Sequence, residues 1–97
     1  MNDSTGERLI RLLVLYQGRV QGVGFRMNAV AQAKGLKVNG YVRNESDGSV
    51  RMDVEGSRRD IRELMARIDS TMCGKLEDSE VQEMPIRGMD EGFVIRY

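Results

Sequence analysis

The hydrophobic residues of this chain follow two spacings, one typical of strands and one typical of helices. A continuous apolar run predicts a first strand over residues 10–17, apolar enough to lie inside a sheet. After a glycine-containing loop, apolar residues recur every three to four positions and predict a helix over residues 25–34. The chain is therefore expected to begin with a strand, a loop and a helix.

The next segment has the pattern of a β-hairpin. A strand over residues 38–45 leads to the turn Ser46-Asp47-Gly48, whose composition is a hairpin signal. A further strand begins at residue 50 and ends at Gly56, and its apolar and charged residues alternate. The alternation predicts one buried face and one solvated face, with Arg51, Asp53 and Glu55 on the solvated side.

A second helix is predicted after this hairpin. Ser57 is placed to cap it, with Asp60 three residues later in a position like that of a capping box. Apolar residues then recur along one helical face at Ile61, Leu64, Met65 and Ile68. Four arginines lie off that face: Arg58, Arg59, Arg62 and Arg67. We interpret them as a solvated face paired with Asp60 and Glu63 rather than as a nucleic-acid patch.

The remaining residues predict two more strands. Residues 69–77 are expected to form a connecting loop, and residues 81–86 a fourth strand. Because Pro85 has no N–H to donate to a neighbouring strand, this strand is expected at an edge of the sheet. A loop over residues 87–92 precedes a short terminal strand, whose alternating residues are Phe93, Ile95 and Tyr97.

The predicted order is β-α-β-β-α-β with a short extra strand at the C-terminal end. This order is typical of an α+β, ferredoxin-like fold, in which two helices pack on one face of a mostly antiparallel sheet. The 97 residues suffice for one domain. We expect that domain to span residues 8–97, and the polar residues 1–7 to form a flexible tail.

Composition excludes several kinds of chemistry. The chain has no histidine, so neither Ser-His nor Cys-His catalysis is available, and most catalytic zinc sites are ruled out. Its single cysteine, Cys73, excludes an internal disulfide, which fits a reducing compartment. We expect that cysteine to be an inert surface residue.

Charge and hydropathy limit the kinds of partner that the protein is expected to bind. Acidic and basic residues balance at 15 each, and a chain without net charge is a poor general binder of nucleic acid. No segment approaches the roughly 20 apolar residues that span a bilayer, and the polar start is unlike a secretory signal. The expected protein is a cytoplasmic one without membrane or nucleic-acid partners.

The loop between the first strand and the first helix is the strongest candidate for function. Residues 18–26 contain three glycines and are followed by a helix, so several backbone N–H groups can point at one anion. Arg26 lies where loop and helix meet, and its planar set of donors matches phosphate oxygens. The same spacing also suits a simple tight turn, in which glycines supply positive φ.

Two motifs carry a resemblance to a known family. The sequence Gly18-Arg19-Val20-Gln21-Gly22-Val23-Gly24-Phe25-Arg26 resembles the first signature of the acylphosphatases. Their second signature is resembled by Gly40-Tyr41-Val42-Arg43-Asn44, followed by Asp47-Gly48, Val50 and Gly56. The motifs occur in the family's order and spacing, and the likeness extends from about residue 12 to residue 97.

The resemblance implies the same ferredoxin-like fold and a specific reaction. Acylphosphatases hydrolyse a small-molecule acyl phosphate to a carboxylate and inorganic phosphate, with no metal or cofactor, and a monomer is the expected state. Carried over to this chain, Arg26 and the backbone amides hold the phosphate, and Asn44 positions the attacking water, with the phosphate helping to accept the proton. The amides belong to Gln21, Gly22, Val23, Gly24 and Phe25.

Two other functions stay open at this point. A non-catalytic phosphate- or RNA-binding module could use the same fold, since ferredoxin-like sheets recognise RNA through exposed aromatics in basic surroundings. The zero net charge and the few aromatics on the strands disfavour RNA. Similar domains also occur within carbamoyl-transferring maturation proteins, a context that the short chain does not favour. Taken alone, Asn44 near a turn also suits a bond to its own backbone.

Overall fold

Strands and helices follow one another in the predicted order in the computed structural model, which describes residues 8–21 and 23–97. The predicted tail over residues 1–7 lies outside the described residues. In chain order the elements are β1 (Leu9–Gly18), α1 (Val23–Gln32), β2 (Val38–Asn44), β3 (Val50–Ser57), α2 (Arg58–Thr71), β4 (Leu76–Met84) and β5 (Phe93–Arg96).

The five strands form one sheet in the order β4-β1-β3-β2-β5. The neighbours β4 and β1, β1 and β3, and β3 and β2 are antiparallel, whereas β5 runs parallel to β2. The ferredoxin-like α+β fold with an extra terminal strand is therefore confirmed. The parallel pairing brings the C-terminal ends of β2 and β5 to the same end of the sheet.

The core lies between the sheet and the two helices. Alternate residues of the central strands point toward the helices, and α2 contributes the predicted apolar stripe, of which Ile61, Leu64 and Ile68 are fully buried. Burying one such side chain is worth roughly 1.5–3 kcal/mol. The helix begins as predicted, because the hydroxyl of Ser57 accepts a hydrogen bond from the N–H of Asp60 at 3.1 Å.

Three of the four arginines off the apolar stripe of α2 pair with acidic residues. Arg67 bonds Glu63 one turn earlier at 2.8 Å, and Arg59 lies 3.7 Å from Asp60. Arg58 is 3.7 Å from Glu83 of β4. The predicted pairing with Asp60 and Glu63 is confirmed for Arg59 and Arg67, whereas the acidic partner of Arg58 comes from β4.

The prediction of a solvated face on β3 is wrong for two residues. Asp53 is 1% exposed and Glu55 is 3% exposed. Asp53 accepts two hydrogen bonds of 2.8 Å from the guanidinium of Arg11, and this carboxylate raises the pKa of Arg11. Glu55 accepts bonds from the backbone N–H groups of residues 87–89. We call the sheet face opposite the helices the open face; the loop before β5 covers part of it.

The fourth strand also differs from the prediction. It begins at Leu76 and ends at Met84, while α2 continues to Thr71, so only residues 72–75 of the predicted loop connect the two. Most of β4 is exposed, because it lies at the edge of the sheet, as expected. An exposed edge strand buries neither face, so its sequence lacks the alternation that reveals other strands.

We predict that Gly40→Ala strongly destabilises the fold. Gly40 has a φ of 146°, and a Cβ atom there would lie 1.9 Å from the carbonyl oxygen of Asp53. Because the backbone of β3 cannot move away without disrupting the sheet, the free energy of unfolding should fall by more than about 3 kcal/mol. Urea unfolding measures the loss. Gly74→Ala is the control. Gly74 also has a positive φ, of 87°, but a Cβ atom added there would have no neighbouring atom within 4 Å. Equal losses in the two variants would contradict the steric cause.

Candidate active site

The loop after β1 is anchored at its start by close backbone packing. Gly18 has a φ of 129°, and a Cβ there would lie 2.3 Å from the carbonyl oxygen of Lys75. The same carbonyl accepts a hydrogen bond from the N–H of Arg19 at 2.9 Å. The first glycine of the motif is thus required by the segment that enters β4.

The side chain of Gln21 connects the loop to the β2–β3 turn. Its Nε2 donates to the backbone oxygens of Glu45 at 2.7 Å and Ser49 at 3.0 Å. The turn is itself ordered by Asp47, whose Oδ1 accepts bonds from the hydroxyl and the N–H of Ser49. These bonds lower the pKa of the Asp47 carboxyl. The loop is therefore tied to the residue that directly follows Asn44.

The helix that follows the loop begins at Val23. The first four N–H groups of a helix lack intrahelical acceptors, and here they include those of Val23, Gly24 and Phe25. Phe25 is buried, and its ring lies 5.3 Å from that of Tyr16 on β1, while Gly24 is exposed. Burial raises the pKa of the Tyr16 hydroxyl. Gly22, also predicted to bind phosphate, lies outside the described residues.

Arg26 is buried at the C-terminal end of β5. The residue is 8% exposed, and its Nη1 donates to the backbone oxygen of Arg96 at 3.3 Å. Its Cζ lies 4.7 Å from the centroid of the Tyr97 ring. Within the described part of the chain, its buried Nε has no hydrogen-bond partner. A buried donor without a partner is costly in a folded protein.

Asn44 lies at the same end of the sheet. It is the last residue of β2, directly after Arg43, which is paired with Arg96 of β5. Arg26 bonds to that same Arg96, so the two predicted catalytic residues are brought to adjacent strand ends. The Oδ1 of Asn44 is buried and finds no hydrogen-bond partner among the residues described. The expected alternative, in which this oxygen bonds its own backbone, is therefore not seen.

Sequence reasoning missed the contribution of the C-terminal residues. Tyr97 was predicted only as part of a strand, yet its ring, which is 88% exposed, lies against Arg26. The two residues are far apart in the chain, and no local motif links them. The contact depends on β5 running parallel to β2.

We predict that Tyr97→Ala lowers kcat/KM for an acyl phosphate by roughly two- to fivefold. Removal of the ring loosens the hold on Arg26, and an exposed cation–π contact contributes about 0.5–1 kcal/mol. Steady-state kinetics measures the effect, and Tyr97→Phe, which retains the ring, should keep nearly the full rate. Equal losses in both variants would contradict a role of the ring face.

Across residues 8–21 and 23–97, no group of three or more Cys, Asp or Glu side chains is arranged to hold a metal ion. No helix in the same ranges is long and apolar enough to cross a membrane. Cys73 is exposed, as expected.

Fold and site together define a small α+β protein with a glycine-containing loop between a strand and a helix. The family model for acylphosphatase matches residues 12–95. The chain is 40% identical over 80 residues to the acylphosphatase of Salinibacter ruber, covering 81% of this chain and 84% of that one. It is 33% identical over 88 residues to the acylphosphatase of Geobacillus kaustophilus, covering 90% of this chain and 94% of that one.

A solved structure agrees with these relatives. The crystal structure of acylphosphatase from Bacillus subtilis matches with a TM-score of 0.81 and 30% sequence identity, covering 91% of this chain and 99% of that chain. The chain therefore belongs to the acylphosphatase family, a family of hydrolases that act on small-molecule acyl phosphates.

Proposed function

We propose that this chain hydrolyses acyl phosphates at the site formed by its glycine loop, Arg26 and Asn44. The observation that carries the proposal concerns two of the four buried polar side-chain atoms without hydrogen-bond partners in the described chain, Nε of Arg26 and Oδ1 of Asn44. They lie on neighbouring elements at the end of the sheet where α1 begins. The proposed enzyme acts as a cytoplasmic monomer.

The phosphate is held by donors that are already oriented. The backbone amides of residues 21–25 belong to the loop and the first turn of α1, where free N–H groups and the helix dipole favour an anion. The guanidinium of Arg26 adds a charge-assisted bond to a phosphoryl oxygen. Its contacts with Arg96 and Tyr97 restrict its side chain before the substrate arrives.

The role of Asn44 follows from the chemistry of its amide. Its Oδ1 accepts and its Nδ2 donates, so one side chain can hold a water molecule in a fixed orientation. An acyl phosphate is a mixed anhydride and already activated, so hydrolysis is promoted mainly by position and electrostatics. Asparagine is not a base, so we propose that a phosphoryl oxygen accepts the proton of the attacking water. The oxygen of the water forms a bond to phosphorus as the P–O bond to the acyl group breaks, so the acyl group leaves as a carboxylate and inorganic phosphate remains.

Turnover of benzoyl phosphate by the purified protein tests the proposed function. The proposal expects release of benzoate and inorganic phosphate in equal amounts, at an unchanged rate after treatment with EDTA. Phosphate binding without turnover would contradict the proposal and favour a non-catalytic module. Loss of activity on chelation would contradict the expected independence from metals.

A further inference from the structure

The open face of the sheet carries a row of three arginines that the proposed reaction does not use. Arg51 of β3 is paired with Arg43 of β2, and Arg43 is paired with Arg96 of β5. Residues paired in this way point to the same side of a sheet, and like charges placed directly opposite one another destabilise it. A negative charge near the row would therefore stabilise it.

The described part of the chain supplies one carboxylate to this row. Glu45 lies 3.1 Å from Nε of Arg43 and 3.4 Å from Nε of Arg51. Arg96 has no ion-pair partner within the described ranges, and its guanidinium carbon lies 4.4 Å from the centroid of the Tyr41 ring. Arg43 lies 5.8 Å from the same centroid. Two guanidinium groups are thus held against one ring, with an excess of positive charge.

The other carboxylates on this face are hydrogen-bonded to groups outside the row. Asp53 is held by Arg11 through two hydrogen bonds, and Glu55 is held by the backbone of the covering loop. The neighbour of Arg51 on β1 is the apolar Leu15. The row is thus bounded by groups that do not neutralise it.

A cleft of about 210 Å³ borders the row on the side of the covering loop. Tyr41 and Arg96 line it, together with Arg87, Asp90 and Glu91. The two acidic and two basic residues of this lining balance in charge, so the cleft itself offers an anion no excess of positive charge. The favourable position is over Arg43 and Arg96, where guanidinium groups lie on one aromatic ring.

We propose that Arg43, Arg51 and Arg96 form a second phosphate-binding site on the open face, separate from the glycine loop. A phosphate dianion, free or carried by a monoester, matches the charge of the row and the planar donors of arginine. RNA is a poorer match. Single strands are bound by stacking on exposed aromatics, and Tyr41, the aromatic residue of this face, is 7% exposed.

Amide NMR titration of the full chain with inorganic phosphate tests the proposal. Two sets of shift changes are expected, one at residues 21–26 and one around Tyr41 and Arg51. Arg43→Gln and Arg96→Gln should each raise the dissociation constant of the second set by at least about fivefold, because each removes a charged donor. The first set should persist in both variants, and a dispersed spectrum verifies that they fold.

Control titrations make the test specific to the open face. Arg62→Gln removes an exposed arginine of α2 and should leave both sets unchanged. A parallel titration with glycerol phosphate distinguishes free phosphate from a phosphate monoester as the ligand. Tighter binding of glycerol phosphate than of inorganic phosphate indicates a monoester. Shift changes confined to the loop would overturn the proposal. So would wild-type affinity in both variants, or open-face changes with single-stranded RNA at lower concentrations than with phosphate.

Discussion

Replacement of Arg26 with alanine is expected to lower kcat/KM for benzoyl phosphate by at least about 10²- to 10³-fold, the usual cost of losing one aligned donor to a developing charge. The guanidinium is buried, and its Nε has no partner among the described residues, so its charge is available to a bound phosphoryl group. Both kcat and the affinity for phosphate should fall. Steady-state kinetics and competitive inhibition by inorganic phosphate measure the two effects.

Two control variants make this result specific. Arg26→Lys keeps the positive charge but loses the planar set of donors, so it should recover part of the affinity and little of kcat. Arg62→Ala removes an exposed arginine from α2 and should leave the kinetics unchanged. An Arg26→Ala enzyme with full activity would contradict the proposed site, whatever the effect of the other variants.

Replacement of Asn44 with alanine is expected to lower kcat by roughly 100-fold, with KM changed by a small factor. The proposed task of Asn44 is to orient water, which matters in the chemical step more than in substrate binding. Its Oδ1 is buried without a hydrogen-bond partner in the described chain, so removal of this oxygen breaks no hydrogen bond there. The free energy of unfolding should therefore stay nearly constant, as urea unfolding can check.

Asn44→Asp tests the same idea with almost no change of shape. The carboxylate can still accept from water, but it repels the bound phosphate, so KM should rise while kcat falls. Asn28→Ala is the matched control, since the side chain of Asn28 donates a hydrogen bond to Thr71 of α2. A rise in KM alone for Asn44→Ala would contradict water positioning and indicate a phosphate contact.

The elements that could be predicted are those specified by nearby residues. The α2 helix has a cap, a stripe of apolar residues and arginines off that stripe, and all three occur as predicted. The turn after β2 and the order of β1, α1, β2 and β3 also agree. Each of these features depends on contacts within a few positions of the chain, which a linear pattern records.

The incorrect predictions concern features that distant segments create. The alternation along β3 was correct, but Arg11 and the loop before β5 turn its expected solvated face into a buried one around Asp53 and Glu55. The early start of β4 depends on pairing with β1, which begins at Leu76 opposite Gly18. Neither the covering of β3 nor the pairing of β4 with β1 can be recognised from residues close together in the sequence.

The sequence by itself determined the order of the elements, the family and the residues proposed to act, because motif and periodicity are written in short stretches of chain. The roles of Arg26 and Asn44 stay predictions. Only the tertiary structure decided what surrounds them: the bonds of Gln21 to the β2–β3 turn, the Tyr97 ring on Arg26 and the arginine row on the open face. These contacts join residues as far apart in the chain as Arg26 and Tyr97. Strand pairing creates such proximity, and no periodicity along the chain encodes it.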